Sequence, residues 1–291
     1  MTQERLDKQW QKKGLTAYST DAILGTLGHY GLTIDEAAFK SAAATKFPLE
    51  LAMGWAETWK ATGPFGPLPV PAVEELWRRW VKSVQPSDVA VSLRALLIAG
   101  DAALKGKDGF TQALETMESK ASQVPAGDPR ERFMAEVVLH LRNVSTPIDV
   151  LAEELAQAGK VAEAERLVKL EESLFPLRAG VSAALVAAAK GQVEPAVTAL
   201  TTLVKDGAKD PYARVSAMDA LLRLNRPRPA YTPALEMAEV ALEKHDHELF
   251  DELMRRLQRI HQATAELPEE ATNHVRLDAL LDALQHHHHH H

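Results

Sequence analysis

Cysteine is absent from all 291 residues, which removes disulfides, thiolate zinc sites and cysteine nucleophiles from consideration. Aromatic residues make up only 5% of the chain, so any core must be built mainly from aliphatic side chains. No window approaches the roughly 18 uninterrupted apolar residues of a membrane span. Residues 1–13 are polar and charged, without the apolar centre of a signal peptide. The expectation is a soluble, cytoplasmic protein with no membrane partner. No basic run stands out and the net charge is −7. Nonspecific nucleic-acid binding needs a concentrated positive surface, so no nucleic-acid partner is expected.

Motifs for chemistry are missing as well. There is no Gly-x-Ser-x-Gly nucleophile elbow. Gly106 and Gly109 follow a helical segment and are not followed by Gly-Lys-Ser/Thr, so they read as a hairpin turn rather than a phosphate loop. The neighbouring glutamates Glu74-Glu75, Glu153-Glu154 and Glu171-Glu172 point apart on a helix, as residues of a solvated face do. His245-Asp246-His247-Glu248, followed by Asp251, has ligand-type residues, but His-Glu-x-x-His is absent. Two histidines at i and i+2 diverge on a helix, so the cluster reads as a capped helix start without a metal. Gln285 and the six histidines 286–291 read as a purification tag and carry no argument. The expectation is a protein that is not an enzyme and holds no cofactor.

What the chain has in abundance is alanine and leucine at helical spacing. With 46% hydrophobic and 25% charged residues it has the balance of a folded protein, not a disordered one. Residues 4–13 predict a short polar helix. Ser19-Thr20-Asp21 cap a second helix from Ala22 to His29, and Thr33 caps a third from Asp35 to about Ala44. Pro48 opens a fourth carrying Trp55 and Trp59. These helices form an expected N-terminal bundle, 1–62. The stretch 63–71, with Pro64, Pro67, Pro69 and Pro71, reads as a semi-rigid connector, or alternatively as a proline motif for a partner domain. Its apolar Phe65, Leu68 and Val70 suit either packing or docking.

Residues 72–145 predict further hairpins. Pro71 opens a helix with Val73, Leu76, Trp77, Trp80 and Val81 as its apolar stripe and Arg78-Arg79 beside it. Tryptophans at this spacing read first as core. Phe65, Trp77 and Arg78 are secondary candidates for a docking or stacking surface. Ser87-Asp88 cap the helix Val89 to Leu104, residues 110–123 give its partner, and Asp128-Pro129 start a helix ending near Asn143, with His140 close to its end.

From 146 to 242 one pattern returns three times. A turn residue is followed five positions later by alanine: Gly159 with Ala164, Gly191 with Ala196, Asn225 with Ala230. The turn residues are 32 and 34 residues apart, a period characteristic of stacked helix-turn-helix units. Leu151, Ala152, Leu155, Val168 and Pro176 complete the first unit. Ala183, Ala184, Ala187, Leu200 and Leu203 belong to the second, and Ala217, Met218, Leu221 and Ala234 to the third. On these residues the stretch resembles tetratricopeptide repeats, a family of 34-residue helix pairs. It departs from the family at Glu171, where a small residue is the rule, and at Asn225.

The resemblance implies an all-α fold of antiparallel hairpins stacked as an α-solenoid. It also implies a groove, lined by the first helices, that binds a protein or peptide partner. The family's inward-facing positions fall on Asp149, Glu153, Arg178, Tyr212, Asp219 and Arg223. These are mixed in sign and do not form the lysine-asparagine clamp for a C-terminal carboxylate. Residues 146–244 are thus the expected repeats. Residues 245–284 are capping helices, the last of them, with Val275, Leu277, Leu280, Leu281 and Leu284, also offering a face for homo-oligomerisation. The functional expectation is an interaction scaffold or adaptor. The alternatives are a regulatory or immunity-type protein that neutralises a partner, and a helical small-ligand binder or enzyme with a pocket near Trp55, Trp59 and Trp77.

Overall fold

The computed structural model describes residues 4–141, 146–206 and 210–289. Among the described residues there are sixteen α-helices and no strand, so the all-α expectation holds. The helices are α1 Trp10–Lys13, α2 Thr20–His29, α3 Glu36–Ala43, α4 Pro48–Ala56, α5 Pro69–Leu76, α6 Pro86–Leu104, α7 Phe110–Ala121, α8 Asp128–His140, α9 Ile148–Gln157, α10 Val161–Leu174, α11 Val181–Ala189, α12 Val193–Asp206, α13 Pro211–Arg223, α14 Arg228–Glu243, α15 His247–Thr264 and α16 Ala271–His289. The chain forms two compact units, one from residues 4–98 and 112–141, the other from 99–111 and 146–289.

In the first unit the core gathers Leu6, Trp10, Ile23, Leu27, Phe39, Leu51, Trp55, Val73, Leu76 and Trp77. Phe39 is its centre, meeting Trp55, Trp77 and Trp80 edge-on at ring distances of 6.1, 6.4 and 5.4 Å. Several boundaries differ from the sequence reading. The first helix is only the four residues of α1. Asp35, not Thr33, caps α3, its carboxylate accepting from the Ala38 amide at 2.8 Å. Ser19 caps α2 as expected, accepting from the Ala22 amide at 3.0 Å. α5 starts at Pro69 rather than Pro71, because both prolines fall in the first turn, where a missing N–H costs no hydrogen bond. α6 starts at Pro86, with the Gln85 amide donating to Asp88. α8 ends at His140, and Asn143 lies outside the described residues.

The stretch 63–71 is part of this first unit. Trp10 Nε1 donates to the Pro64 carbonyl at 2.9 Å and Trp59 Nε1 to the Phe65 carbonyl at 3.0 Å. Leu68 is fully buried. Two indoles thereby fix a segment whose prolines leave its backbone few donors of its own.

The second unit is a two-layered stack of hairpins. α9, α11, α13 and α15 pack in series, and α10, α12, α14 and α16 back them, α14 against both α12 and α16. The turn residues of the sequence pattern end the first helices in one geometry. Gly159 and Lys160 donate to the carbonyls of Ala156 and Leu155 at 3.1 and 2.9 Å. Gly191 and Gln192 donate to Ala188 and Ala187 at 2.9 Å each, and Asn225 and Arg226 to Leu222 and Leu221 at 3.1 and 2.9 Å. This is the Schellman closure, which requires a left-handed residue; Asn225 adopts it at φ 58°. Asn225→Ala is expected to cost about 1 kcal/mol, and Asn225→Gly little or nothing, in a thermal unfolding comparison. The helices cross closely where the pattern places alanine, since Ala164, Ala196 and Ala230 are buried. α14 begins at Arg228, directly after the Arg226-Pro227 turn. α16 turns Leu277 and Leu280 into the core, with Leu281 and Leu284 packed against it, so this apolar side is used within the chain.

Candidate functional site

The layer of first helices in the second unit positions the residues singled out by the repeat pattern. Glu153 on α9 is buried, and Arg223, at the end of α13, binds it with two nitrogens at 2.7 and 3.4 Å. α11 lies between these helices, and its run Val181–Ala189 is mostly alanine, which leaves the arginine room to reach across. Asp219 on α13 pairs both carboxylate oxygens with Arg256 on α15, at 2.9 and 3.0 Å. Arg256 also contacts Glu252. Asp149 stands near Arg223 and Asp219. Burial raises its carboxyl above the usual range, Arg223 opposes that shift and Asp219 adds to it. Four of the six candidates, Asp149, Glu153, Asp219 and Arg223, thus form one electrostatic network.

The remaining two sit differently. Arg178 is exposed on the short 3₁₀ turn Pro176–Arg178 and acts on Glu171 rather than on the network directly. Tyr212, half-buried at the start of α13, lies among Glu248, Asp246, Glu252 and Asp210, and its hydroxyl is raised first by desolvation and then by those acids. Arg256, Glu252, Glu171 and Ser182 were not singled out for this face. Their sequence signal is weak: Arg256 is one of three arginines on α15, with Arg255 and Arg259, and only Glu171 broke a pattern.

In the first unit Trp77 is buried, its Nε1 donating to the Ser83 carbonyl at 3.2 Å. Phe65 is partly buried and stacks tilted on Tyr30 at 5.8 Å. Only Arg78 of the three secondary candidates is well exposed, and it pairs with Glu75. Trp55 and Trp77 fill the core around Phe39 rather than line an opening. A shallow groove of about 420 Å³ lies between Trp10, Leu15, Thr16, Pro71, Glu74 and Arg78, and neither Trp55 nor Trp77 lines it. Burial raises the Glu74 carboxyl there, Arg78 opposes the shift and Asp88 adds to it.

The three glutamate pairs correct the sequence reading of solvated faces. Glu75 is only 4% exposed, bound by Arg78, Arg79 and, at 3.3 Å, Thr16. Glu153 is buried against Arg223, and Glu171 is largely buried under Ser182. Adjacent positions on a helix diverge by about 100°, which is enough to bury Glu75 and Glu153 while their neighbours Glu74 and Glu154 stay half-buried. His245 and His247 stand with rings 6.2 Å apart. His245 takes the left-handed turn at φ 57°, and Asp246 caps α15 by accepting from the Leu249 amide at 3.2 Å. Among the described residues no group of three or more histidines and acids is arranged to hold a metal, and no helix is long and apolar enough to cross a membrane.

The class of protein these features define is an all-α chain whose second unit is a stack of helical hairpins with a polar, cross-braced first-helix face. No protein-family model, curated protein or solved structure matches it.

Proposed function

We propose that this chain is a non-enzymatic interaction scaffold or adaptor of the cytoplasm, related in construction to tetratricopeptide repeats, which recognises a protein or peptide partner on the first-helix face of its second unit. The observation that carries this reading is the bracing of that face. Ion pairs between residues 70 and 37 positions apart, Glu153 with Arg223 and Asp219 with Arg256, fix side chains across three helices before any partner arrives. A preformed surface avoids the ordering cost that a flexible one meets on binding. Tyr212 adds an aromatic side chain of the kind enriched at binding hot spots.

The test separates surface from scaffold. Arg223 is a poor probe, since changing it strands a buried carboxylate. Arg178→Glu combined with Tyr212→Ala alters exposed and half-buried positions only. A protein captured by the wild type and then measured by calorimetry is expected to lose about tenfold or more in affinity for this variant. Arg276→Ala, on α16 beside Glu239, is expected to leave that affinity intact. A partner indifferent to the double variant but sensitive to Arg276→Ala would place recognition elsewhere and overturn the assignment.

A further inference from the structure

The last three helices each send one side chain to a common point: Tyr231 from α14, His261 from α15 and His274 from α16. His274 Nε2 lies 3.2 Å from the Thr264 carbonyl, which can only accept, so Nε2 carries the ring hydrogen and Nδ1 presents a bare lone pair. Two groups crowd that one lone pair, the Tyr231 hydroxyl at 2.8 Å and His261 Nδ1 at 2.9 Å. The imidazoles stand at 86° to each other with ring centroids 4.5 Å apart. Each nitrogen lies ahead of its own ring centre, so two nitrogens aimed straight at each other across 2.9 Å would hold the centroids farther apart than this. A head-on histidine–histidine hydrogen bond is therefore not what the geometry describes.

The spacing fits a shared metal ion instead. Donor atoms about 2.0 Å from a metal and at right angles to one another are about 2.8 Å apart, whereas tetrahedral placement needs about 3.3 Å. The observed 2.8 and 2.9 Å match the right-angled case, and nitrogen and oxygen donors so arranged suit cupric ion. The Thr264 carbonyl on the far nitrogen of His274 is the backing that ligating histidines generally have. We propose that Tyr231, His261 and His274 form a binding site for a divalent transition-metal ion, cupric ion by preference, which ties α16 to α14 and α15. The histidines ligate through Nδ1 as neutral imidazoles. Tyr231 ligates through its oxygen and releases the phenol proton to solvent, one proton for each ion bound. Both histidines are half-buried, which leaves the ion a way in and a position for water, while the fully buried Tyr231 forms the inner side. Glu270, which Arg228 binds, and Asp278 both lie near enough to act on Tyr231 and add negative charge around the ion. The site does not rest on the partner-binding reading.

Cupric chloride titrated into the full chain and followed by visible absorption tests it. The terminal histidines bind the same ion, so the readout is one that imidazoles cannot give, a phenolate-to-copper charge-transfer band. The chain has no cysteine to reduce the ion. The band is expected in the wild type and not in Tyr231→Phe. No band in the wild type, or one that persists in Tyr231→Phe, overturns the proposal. Urea unfolding gives a second readout that does not need that variant. The tag binds copper in folded and unfolded chains alike, so its contribution cancels, whereas the three-helix site exists only in the folded state. Cupric ion at about a hundred times the dissociation constant read from the band is expected to raise the wild-type folding constant on the order of a hundredfold, and that of His261→Gln by no more than roughly a few-fold. Equal gains in the two proteins would overturn the site.

Discussion

Arg79→Ala is expected to destabilise the first unit by about 2–4 kcal/mol, because a single guanidinium holds three segments there. Its Nε donates to Glu75 at 3.0 Å and Nη1 to the Thr20 hydroxyl at 3.0 Å. Nη2 donates to the carbonyls of Leu15 and Tyr18, at 3.1 and 2.7 Å. Removing it leaves Glu75, among the least exposed carboxylates in the fold, with Arg78 and Thr16 alone. It also frees the turn between α1 and α2. Arg79→Lys is expected to recover only part of the loss, since an ammonium keeps the charge but not the planar fork. The readout is unusually clean: all five tryptophans, Trp10, Trp55, Trp59, Trp77 and Trp80, lie in the first unit. Tryptophan fluorescence against urea therefore follows this unit, whereas far-UV circular dichroism follows both. An unchanged fluorescence midpoint would show that the arginine is not the clasp its geometry describes.

Phe39→Ala is expected to cost about 3–5 kcal/mol, the range for removing a large aromatic from a close-packed core. Phe39 is completely buried and touches three tryptophans edge-on. Its loss opens a space between α3, α4 and the π-helical turn Trp77–Val81, the elements packed on α3. Near-UV circular dichroism of the tryptophans should weaken along with the fall in the unfolding midpoint. Phe39→Leu, which keeps most of the apolar volume, is expected to lose less than half as much. If alanine and leucine cost the same, edge-on aromatic contact rather than filled volume would be the main contribution.

These two residues were unequal in sequence. Phe39 lay in a predicted helix without any mark of being a centre, and Arg79 read as one of two arginines beside an apolar stripe. The helix termini were far more legible. Gly159, Gly191 and Asn225 were picked out by spacing alone, and each closes its helix through hydrogen bonds that span five residues at most. Leu253, Leu257 and Ile260 recur along α15 at helical spacing, and all three are fully buried.

What depends on neighbours along the chain could be read from the residues alone: helical periodicity, the turn residues, the small alanines at the crossings and the all-α class. Such features are written in a window of a few residues, where backbone sterics and a 3.6-residue repeat decide the outcome. Contacts between distant parts of the chain settled the rest: the burial of Glu75 and Glu153, the pinning of the proline stretch by two indoles, and the reach of Arg223 across α11 to Glu153. Burial and charge pairing depend on groups brought together from distant positions, and a carboxylate's solvation changes with the helix that happens to cover it. Glu171 shows the difference at one residue: the sequence marked it as out of place, and the fold set it against the buried Ser182 hydroxyl.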